Sequence, residues 1–562
     1  MAANPGLRTG PMSRAATVKA RGAFYTDAHV ADFLVWWAMR SAADTVVDPC
    51  FGGGVFIRSA CNRLTRLGGL PARQVFGVEI DPTVHARISD QLTCEYGLPP
   101  ENLMLGDFFD VDPATTHHAD AIVGNPPFIR YHRFVGDDRR RALARAAAQG
   151  VRLSELSSSW APFLVHSIAM LKPGGRLAMV IPMEIGYAAY ALPILQHLRH
   201  SFGAVTFLTF RHRLFPELSE DTLLLLAEDK GSSTSAFSQL DIDDAGSLVD
   251  IVSRDRLPLA DVAPVDAQAI ACGHQRLVEH LIPKHARELY RELKSLSPIR
   301  RLGELADVGI GYVTGANDFF HLDPRKARFW GIPDAYLQPA VCRSRALSGL
   351  RFGEQDWRAG LASGDCAYLL RVEAGADLPE GVLAYLRHGE LRGVPQAYKC
   401  RTRSPWFRVP HVYRSDAFLS YMSGHRPRLV ADDAGAVAPN TLHVVRLRPG
   451  NSLTGDALAA LWQTSLTSLS VELEGHPLGG GMLKLEPTEA EGVAVAVPES
   501  ADSALVELSA ELDARLRNGR FSEAEAIADR LILRSSLGLS ERDCSLLRLA
   551  ADSLRTRRYS RS

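Results

Sequence analysis

VVDPCFGGGVF, Val46 to Phe56, is an apolar run that stops at an aspartate and a proline, turns through three consecutive glycines and enters a helical pattern. Glycines at such a turn permit tight reversal and close backbone approach to a ligand, as in the first unit of doubly wound α/β folds. The same succession continues outward. Strand-like runs TVVDP (45–49), VFGVEI (75–80), LMLGDFF (103–109), AIVGN (121–125), RLAMVIP (176–182), VTFLTF (205–210) and TLLLLAE (222–228) alternate with segments of three-to-four apolar spacing. That pattern predicts a mostly parallel sheet covered on both faces. The last two runs lie too close for a crossover helix, which predicts an antiparallel hairpin at a sheet edge.

The alternation fades after Asp229. Residues 231–298 read as a linker or bridge, 299–500 as a turn-rich α+β domain and 501–562 as a helical segment with a basic tail, following a first domain over 15–230. At 562 residues and 46% hydrophobic content the chain supports several cores. Its formal charge of −1 excludes a bulk polycation, so nucleic-acid affinity has to come from local basic patches. Eight cysteines without CxxC or zinc spacing imply reduced thiols in a cytoplasm and no metal site. No run reaches about 18 apolar residues, and the N-terminus lacks a signal-peptide core, so neither membrane insertion nor secretion is expected.

Three successive strands end in a carboxylate at one sheet edge: Asp48 before the glycines, Glu79 in GVEIDP, and Asp107 in LGDFF. That edge is where doubly wound folds bind ligands. An acid in the position of Glu79 commonly accepts hydrogen bonds from ribose hydroxyls; Asp107 offers an acceptor for an adenine amine and Phe108 an apolar wall. Taken singly, each acid is more often a cap or a solvated loop residue. The glycine spacing is neither GxGxxG nor GxxxxGK[ST], which argues against a nucleoside triphosphate. The fourth strand delivers GNPPF to the same edge, where two prolines fix the backbone behind an amide and before a ring.

In this order, FYTD, DPCFGGG, GVEID, GDFF, NPPF, LKPGGRLAMVIP and FPELSEDTLLLL, the chain resembles the γ-class (Taq-type) N6-adenine DNA methyltransferases. The resemblance covers most of the chain. It implies a Rossmann-like seven-stranded S-adenosylmethionine-dependent domain followed by a target-recognition domain. It also implies a cofactor site of Thr26, Asp48, Pro49, Gly52, Gly54, Glu79, Ile80, Asp107 and Phe108. Asn125, Pro126, Pro127 and Phe128 are then the catalytic motif: the Asn125 side-chain oxygen and the Pro126 carbonyl accept the protons of an exocyclic amine, whose lone pair is otherwise drawn into its ring. Phe128 and Phe215 stack on a base turned out of the duplex. The chain departs from the family at Asp27, where proline is commoner, at Cys50 or Phe51, often alanine, and at Phe128, more often tyrosine; the last change keeps the ring face.

Residues 387–414 carry seven basic side chains against one acid, Glu390, with aromatics interleaved. Flanked by GIGYVTGANDFF (309–320) and LGGGMLKLEPTE (478–489), which resemble γ-class framework segments, this strip nominates Arg401, Arg403 and Arg408 for DNA contact, with Arg130 beside the motif. A solvated face is the plain alternative. So it is for Arg139, Arg140, Arg141 and Arg145, which form either a backbone clamp or the outside of a helix. Asp221 with Glu228, Asp229 and Lys230 loosely matches a nuclease pattern and is read as coincidence, leaving any cutting to a separate nuclease or defence-system subunit.

The reading is therefore a DNA adenine-N6 methyltransferase of a restriction–modification or phage-defence system, acting on double-stranded DNA. The alternatives are an RNA or protein-glutamine methyltransferase and a non-catalytic DNA-binding subunit.

Overall fold

The computed structural model describes residues 26–114, 118–215, 221–259, 262, 264–373, 378–450, 453–498 and 502–560. The chain divides into two compact units, the first closing at Leu281 and the second running from Ile282 to Tyr559.

Among the described residues of the first unit, nine strands form one sheet: β1 (Val46–Asp48), β2 (Val75–Glu79), β3 (Leu103–Leu105), β4 (Ala119–Gly124), β5 (Leu171–Pro182), β6 (Phe202–Phe210), β7 (Thr222–Lys230), β8 (Ala236–Ile242) and β9 (Val265–Asp266). Their order is β3-β2-β1-β4-β5-β7-β6-β8-β9. The first five strands run parallel, so the carboxyl ends of β1 to β4 share one edge. Helices α1 (Ala28–Ala38), α2 (Val55–Leu67), α3 (Pro82–Tyr96), α4 (Gly136–Ala148), α5 (Trp160–Ala169) and α6 (Leu192–Ser201) accompany them. Central strands buried on both faces read as unbroken apolar runs, and β4 and β5 do so, with Ala121, Ile122 and Leu177 to Ile181 all sealed from solvent. Asp81 caps α3 by accepting from the Thr83 and Val84 N–H groups, with Pro82 at the first helical position where no donor is needed.

The expected hairpin of β6 and β7 is present and antiparallel, but it is not at the edge. β8 pairs parallel with β6, and β9 with β8, so the stretch expected to bridge the domains extends the first unit's sheet as far as Asp266. From Ile282 onward the residues, including α7 (Lys284–Lys294), belong to the second unit.

The second unit holds a five-stranded sheet in the order Ala306–Ile310, Leu442–Leu447, Ala417–Ser420, Leu429–Asp432, Arg351–Phe352. A three-stranded sheet of His321–Leu322, Cys366–Leu370 and Leu337–Val341 has its own aromatic core around Phe319, Phe320 and Tyr385. Helix α8 (Ser465–Glu474) is buried along its whole length, and the C-terminal helix α9 (Glu541–Tyr559) packs on it. The helical C-terminus is thus part of this unit and not an appended segment. All eight cysteines are free thiols. Among the described residues no helix is long and apolar enough to cross a membrane.

Candidate active site

The glycine turn is built by hydrogen bonds to two strand ends, those of β1 and β2. Asp48 Oδ1 accepts the Cys50 N–H at 3.0 Å, the Phe51 N–H donates to the Val78 carbonyl at 3.0 Å, and Gly52 N–H donates to Glu79 Oε2 at 2.9 Å. Glu79 Oε1 accepts the Asp81 N–H at 2.7 Å, so both its oxygens are held by main chain. Gly52 (φ +48°) and Gly54 (φ +76°) are left-handed, and a Cβ on Gly54 would lie 2.9 Å from Ile88 Cγ2 of α3. Glycine at 54 is therefore demanded twice, by conformation and by space.

The Asn125 end of β4 meets this turn directly. Cys50 Sγ donates to the Asn125 carbonyl at 3.3 Å, and Gly124 lies so near Asp48 and Pro49 that a Cβ there would sit 3.2 Å from Asp48 Oδ1. The Asn125 amide nitrogen donates to Thr26 Oγ1 at 3.1 Å. Its oxygen, Asn125 Oδ1, is buried and has no hydrogen-bond partner among the described residues; Asp48 Oδ2 is in the same condition. Burial, with the charge of Glu79 adding and the Cys50 N–H opposing, pushes the Asp48 carboxyl up to about 8. Burial, then Asp48 and Glu79, push the Cys50 thiol well above its usual range, which keeps it a donor.

One cavity of about 230 Å³ joins the two motifs: Thr26, Cys50, Gly52, Gly53 and Asn125 line one side, and Arg87, Ile88 and Gln91 of α3 the other. Ile80 is 61% exposed at the end of β2, an apolar surface beside Glu79. Asp107 and Phe108 do not line this cavity. Asp107 caps the Phe109 N–H at 3.0 Å and pairs with Arg141 at 2.9 Å, while the Phe108 ring packs 4.9 Å from Phe163 and 4.8 Å from His166.

Past Asn125 the loop is clasped by one side chain. Ser159 Oγ donates to the Pro127 carbonyl at 2.5 Å and accepts the Ile129 N–H at 2.9 Å, while its own N–H donates to the Ile129 carbonyl at 2.9 Å. Pro126 is buried. Phe128 and Phe215 lie within the first unit's core, at 7% and 5% exposure, and the segment after Phe215 up to residue 220 is outside the described residues. Sequence reasoning missed the α3 face and Ser159. Residues 87, 88 and 91 share a helical face, which was readable; nothing local connects Ser159 to a loop 30 residues earlier.

The basic clusters divide. Arg141 ties Asp107 and Asp110 to Asp138 and Arg145 donates to the Phe109 carbonyl, so these two side chains staple α4 to the loop after β3, while Arg140 pairs with Asp137 of its own helix. In the second unit Arg403 donates to the Val313 and Thr314 carbonyls at 2.5 and 2.8 Å, a structural tie. Arg401 and Arg408 are exposed, Arg401 over the ring of Tyr398 at 5.3 Å; Arg130 is exposed at the end of the motif loop. Glu228 pairs with Arg40 and Arg176, and Asp221 with Arg213; among the described residues no cluster of metal-ligating side chains occurs.

Residues 12–191 match the family model described as N-6 DNA methylase, and residues 274–533 match the C-terminal domain of the type II methyltransferase M.Eco57I. The chain is 20% identical over 477 residues to the type II methyltransferase M.AccI of Acinetobacter calcoaceticus, covering 83% of each chain. It is 23% identical over 490 residues to M.XamI of Xanthomonas campestris pv. amaranthicola, covering 84% of each. In fold it is similar to the type IIL restriction–modification enzyme MmeI, solved with DNA (TM-score 0.54, 11% identity, 94% of this chain and 75% of that one). It is also similar in fold to DrdV, likewise solved with DNA (TM-score 0.53, 12% identity, 90% and 58%). With an N-6 DNA methylase match followed by a type II methyltransferase C-terminal match, the chain is an adenine-specific DNA methyltransferase.

Proposed function

We propose that Asn125 is the residue on which methyl transfer to adenine N6 turns, in a restriction–modification methyltransferase that acts on double-stranded DNA with the base rotated out of the helix. The observation that carries this reading is the unpartnered Asn125 oxygen on the wall of the cavity that also holds the glycine turn. A buried acceptor without a donor costs about 1–3 kcal/mol, a cost that an incoming N–H removes. Thr26 holds the amide nitrogen, which orients the oxygen toward the cavity, and Cys50 holds the Asn125 carbonyl. Pro126 follows with a carbonyl that the ring closure of two prolines keeps rigid. Two such oxygens accept the two amine protons and let the nitrogen lone pair turn out of conjugation; no strong base is required.

The residues fit S-adenosylmethionine: left-handed glycines open the backbone to a methionine moiety, the Glu79 carboxylate is fixed for ribose hydroxyls, and Ile80 offers an apolar face to the adenine. The cofactor supplies an electrophilic methyl on a sulfonium. Asp48, Pro49, Gly52 and Gly54 shape the turn against which it lies. Asp107 and Phe108 serve the site through the loop after β3. Pro127 fixes the loop that carries Phe128, and Phe128 and Phe215 are assigned as the aromatic pair for the base; their burial requires that the pocket open when the base enters. Arg130, Arg401 and Arg408 are assigned to DNA, and any cutting to a separate nuclease chain. Free thiols support a cytoplasmic location.

The test replaces Asn125 with alanine in the full chain. Methyl transfer to DNA adenine is expected to fall at least ~10³-fold while S-adenosylmethionine still binds; undiminished turnover overturns the assignment. Long-read sequencing of host DNA with and without the gene reads the same activity as a motif-specific N6-methyladenine signal.

A further inference from the structure

A cavity of about 390 Å³ in the second unit lies between the Ser420–Leu429 hairpin and helices α8 and α9, away from the 387–414 strip. Its wall carries a surplus of guanidinium. Arg558 takes both oxygens of Glu472 at 3.0 Å. Arg555, only 6% exposed, is left an ion pair to Glu472 at 3.3 Å and a hydrogen bond from Nη1 to Asp552 at 2.5 Å; its Nη2 is buried with no partner among the described residues. Arg426 and Arg548 share Glu525. Arg428 pairs with no carboxylate among the described residues: it donates to the Leu347 carbonyl at 2.6 Å and lies over the Phe521 ring at 5.4 Å. Arg426, Arg428 and Arg555 on the wall, with Arg548 and Arg558 behind them, thus outnumber by one the acids Glu472, Glu525, Asp529 and the half-exposed Asp552. Burial and then Arg555, Arg426 and Arg558 push His425 at the rim down to about 4, as expected in a positive field.

We infer that this cavity binds a small phosphate monoester, of mononucleotide size, with its phosphate on Arg555 and Arg428. A buried guanidinium nitrogen without an acceptor, such as Arg555 Nη2, is costly, and a dianionic group with several acceptor oxygens is the chemistry that satisfies a planar guanidinium fork. Ser423 adds a hydroxyl at the wall, and the His425 ring, stacked on Phe521 at 5.7 Å, gives a flat surface for an attached ring. A duplex backbone is convex and reaches exposed cations; a guanidinium as recessed as Arg555 suits a ligand that enters the cavity whole.

The test is calorimetric titration of the full chain with inorganic phosphate and with adenosine 5′-monophosphate at constant ionic strength. Saturating S-adenosylmethionine is present to occupy the first unit's cavity. Saturable binding is expected, tighter for the nucleotide, weakened at least tenfold by Arg428→Gln and by Arg555→Lys, and not displaced by a non-specific 20-base-pair duplex. Should either variant misfold, hydrogen exchange of residues 541–559 in the unsubstituted chain reads the same site, with slowing by phosphate but not by chloride expected. No binding at 10 mM phosphate, binding indifferent to both variants, or displacement by the duplex overturns the inference.

Discussion

The sheet edge of the first unit and the basic strip of the second were both flagged by residue type, and the structure treats them in opposite ways. At the edge, Asn125 Oδ1 and Asp48 Oδ2 are buried and left without partners. In the strip, both Arg403 end nitrogens are tied to main-chain carbonyls, and Trp406 packs on Phe319 at 5.6 Å while its indole N–H donates to Glu390 at 3.3 Å. Polar groups are almost always satisfied when buried. Leftover bonding capacity, more than chemical identity, therefore separates a reacting group from a framing one, and each prediction below asks whether that criterion holds at a given side chain.

After Asn125 itself, the largest effect is expected at Thr26. Thr26→Val removes the acceptor for the Asn125 amide nitrogen, so the amide is free to turn its oxygen away from the cavity. Turnover should fall about 10- to 100-fold, the worth of one or two hydrogen bonds in a preorganised site. Thr26→Ser, which keeps the hydroxyl, should recover most of it. If both variants lose cofactor affinity and neither loses kcat at saturation, Thr26 serves the cofactor and not the orientation of Asn125.

Arg403→Met tests the opposite pole. Two charge-assisted hydrogen bonds to the 313–314 backbone disappear, which should cost about 1.5–3 kcal/mol in urea unfolding of the full chain. The DNA affinity of the folded fraction should hardly change. A variant that is fully stable but binds DNA more weakly would restore Arg403 to the recognition surface.

Asp48 gives a pH-dependent effect with a definite sign. Its carboxyl is raised from 3.8 to about 8 on folding, so between those values the folded state holds a proton that the unfolded state has lost. Stability from this group is full below about pH 4 and is lost as pH rises through 8, at up to ~1.4 kcal/mol per pH unit. Asp48→Asn removes the titration. Its stability relative to the unsubstituted chain should therefore climb between pH 5 and pH 8, and parallel curves would show that Asp48 is ionised in the fold.

How much of this was legible follows the range of the interactions. The turn at Val46–Phe56 and the four strand ends depend on neighbours within a few residues, so alternation and glycine placement sufficed. β8 was not legible: AFSQLDI buries only Phe237 and leaves its other residues half-exposed, a pattern with no apolar run to mark a strand. The Asp107 carboxylate looked available because its partner, Arg141, lies 34 residues later on α4. Ser159 clasps Pro127 and Ile129 over a similar interval. Within the 398–403 segment, charge alone does not say that Arg401 faces solvent over Tyr398 while Arg403 turns inward; packing against residues 313–314 decides it.

The smallest expected change is at that exposed neighbour. Arg401→Met breaks no ion pair and leaves the Tyr398 ring in place, so unfolding should shift by no more than about 0.5 kcal/mol. If Arg401 meets a DNA phosphate, neutralising it removes about one released counterion, and the slope of log affinity against log salt should become shallower by roughly 0.9. The same loss on specific and non-specific duplexes marks a backbone contact, whereas a loss confined to the specific site marks base reading. An unchanged slope on both makes Arg401 a solvated side chain like its neighbours on the strip, and leaves Arg408 as the next cation to carry the interface.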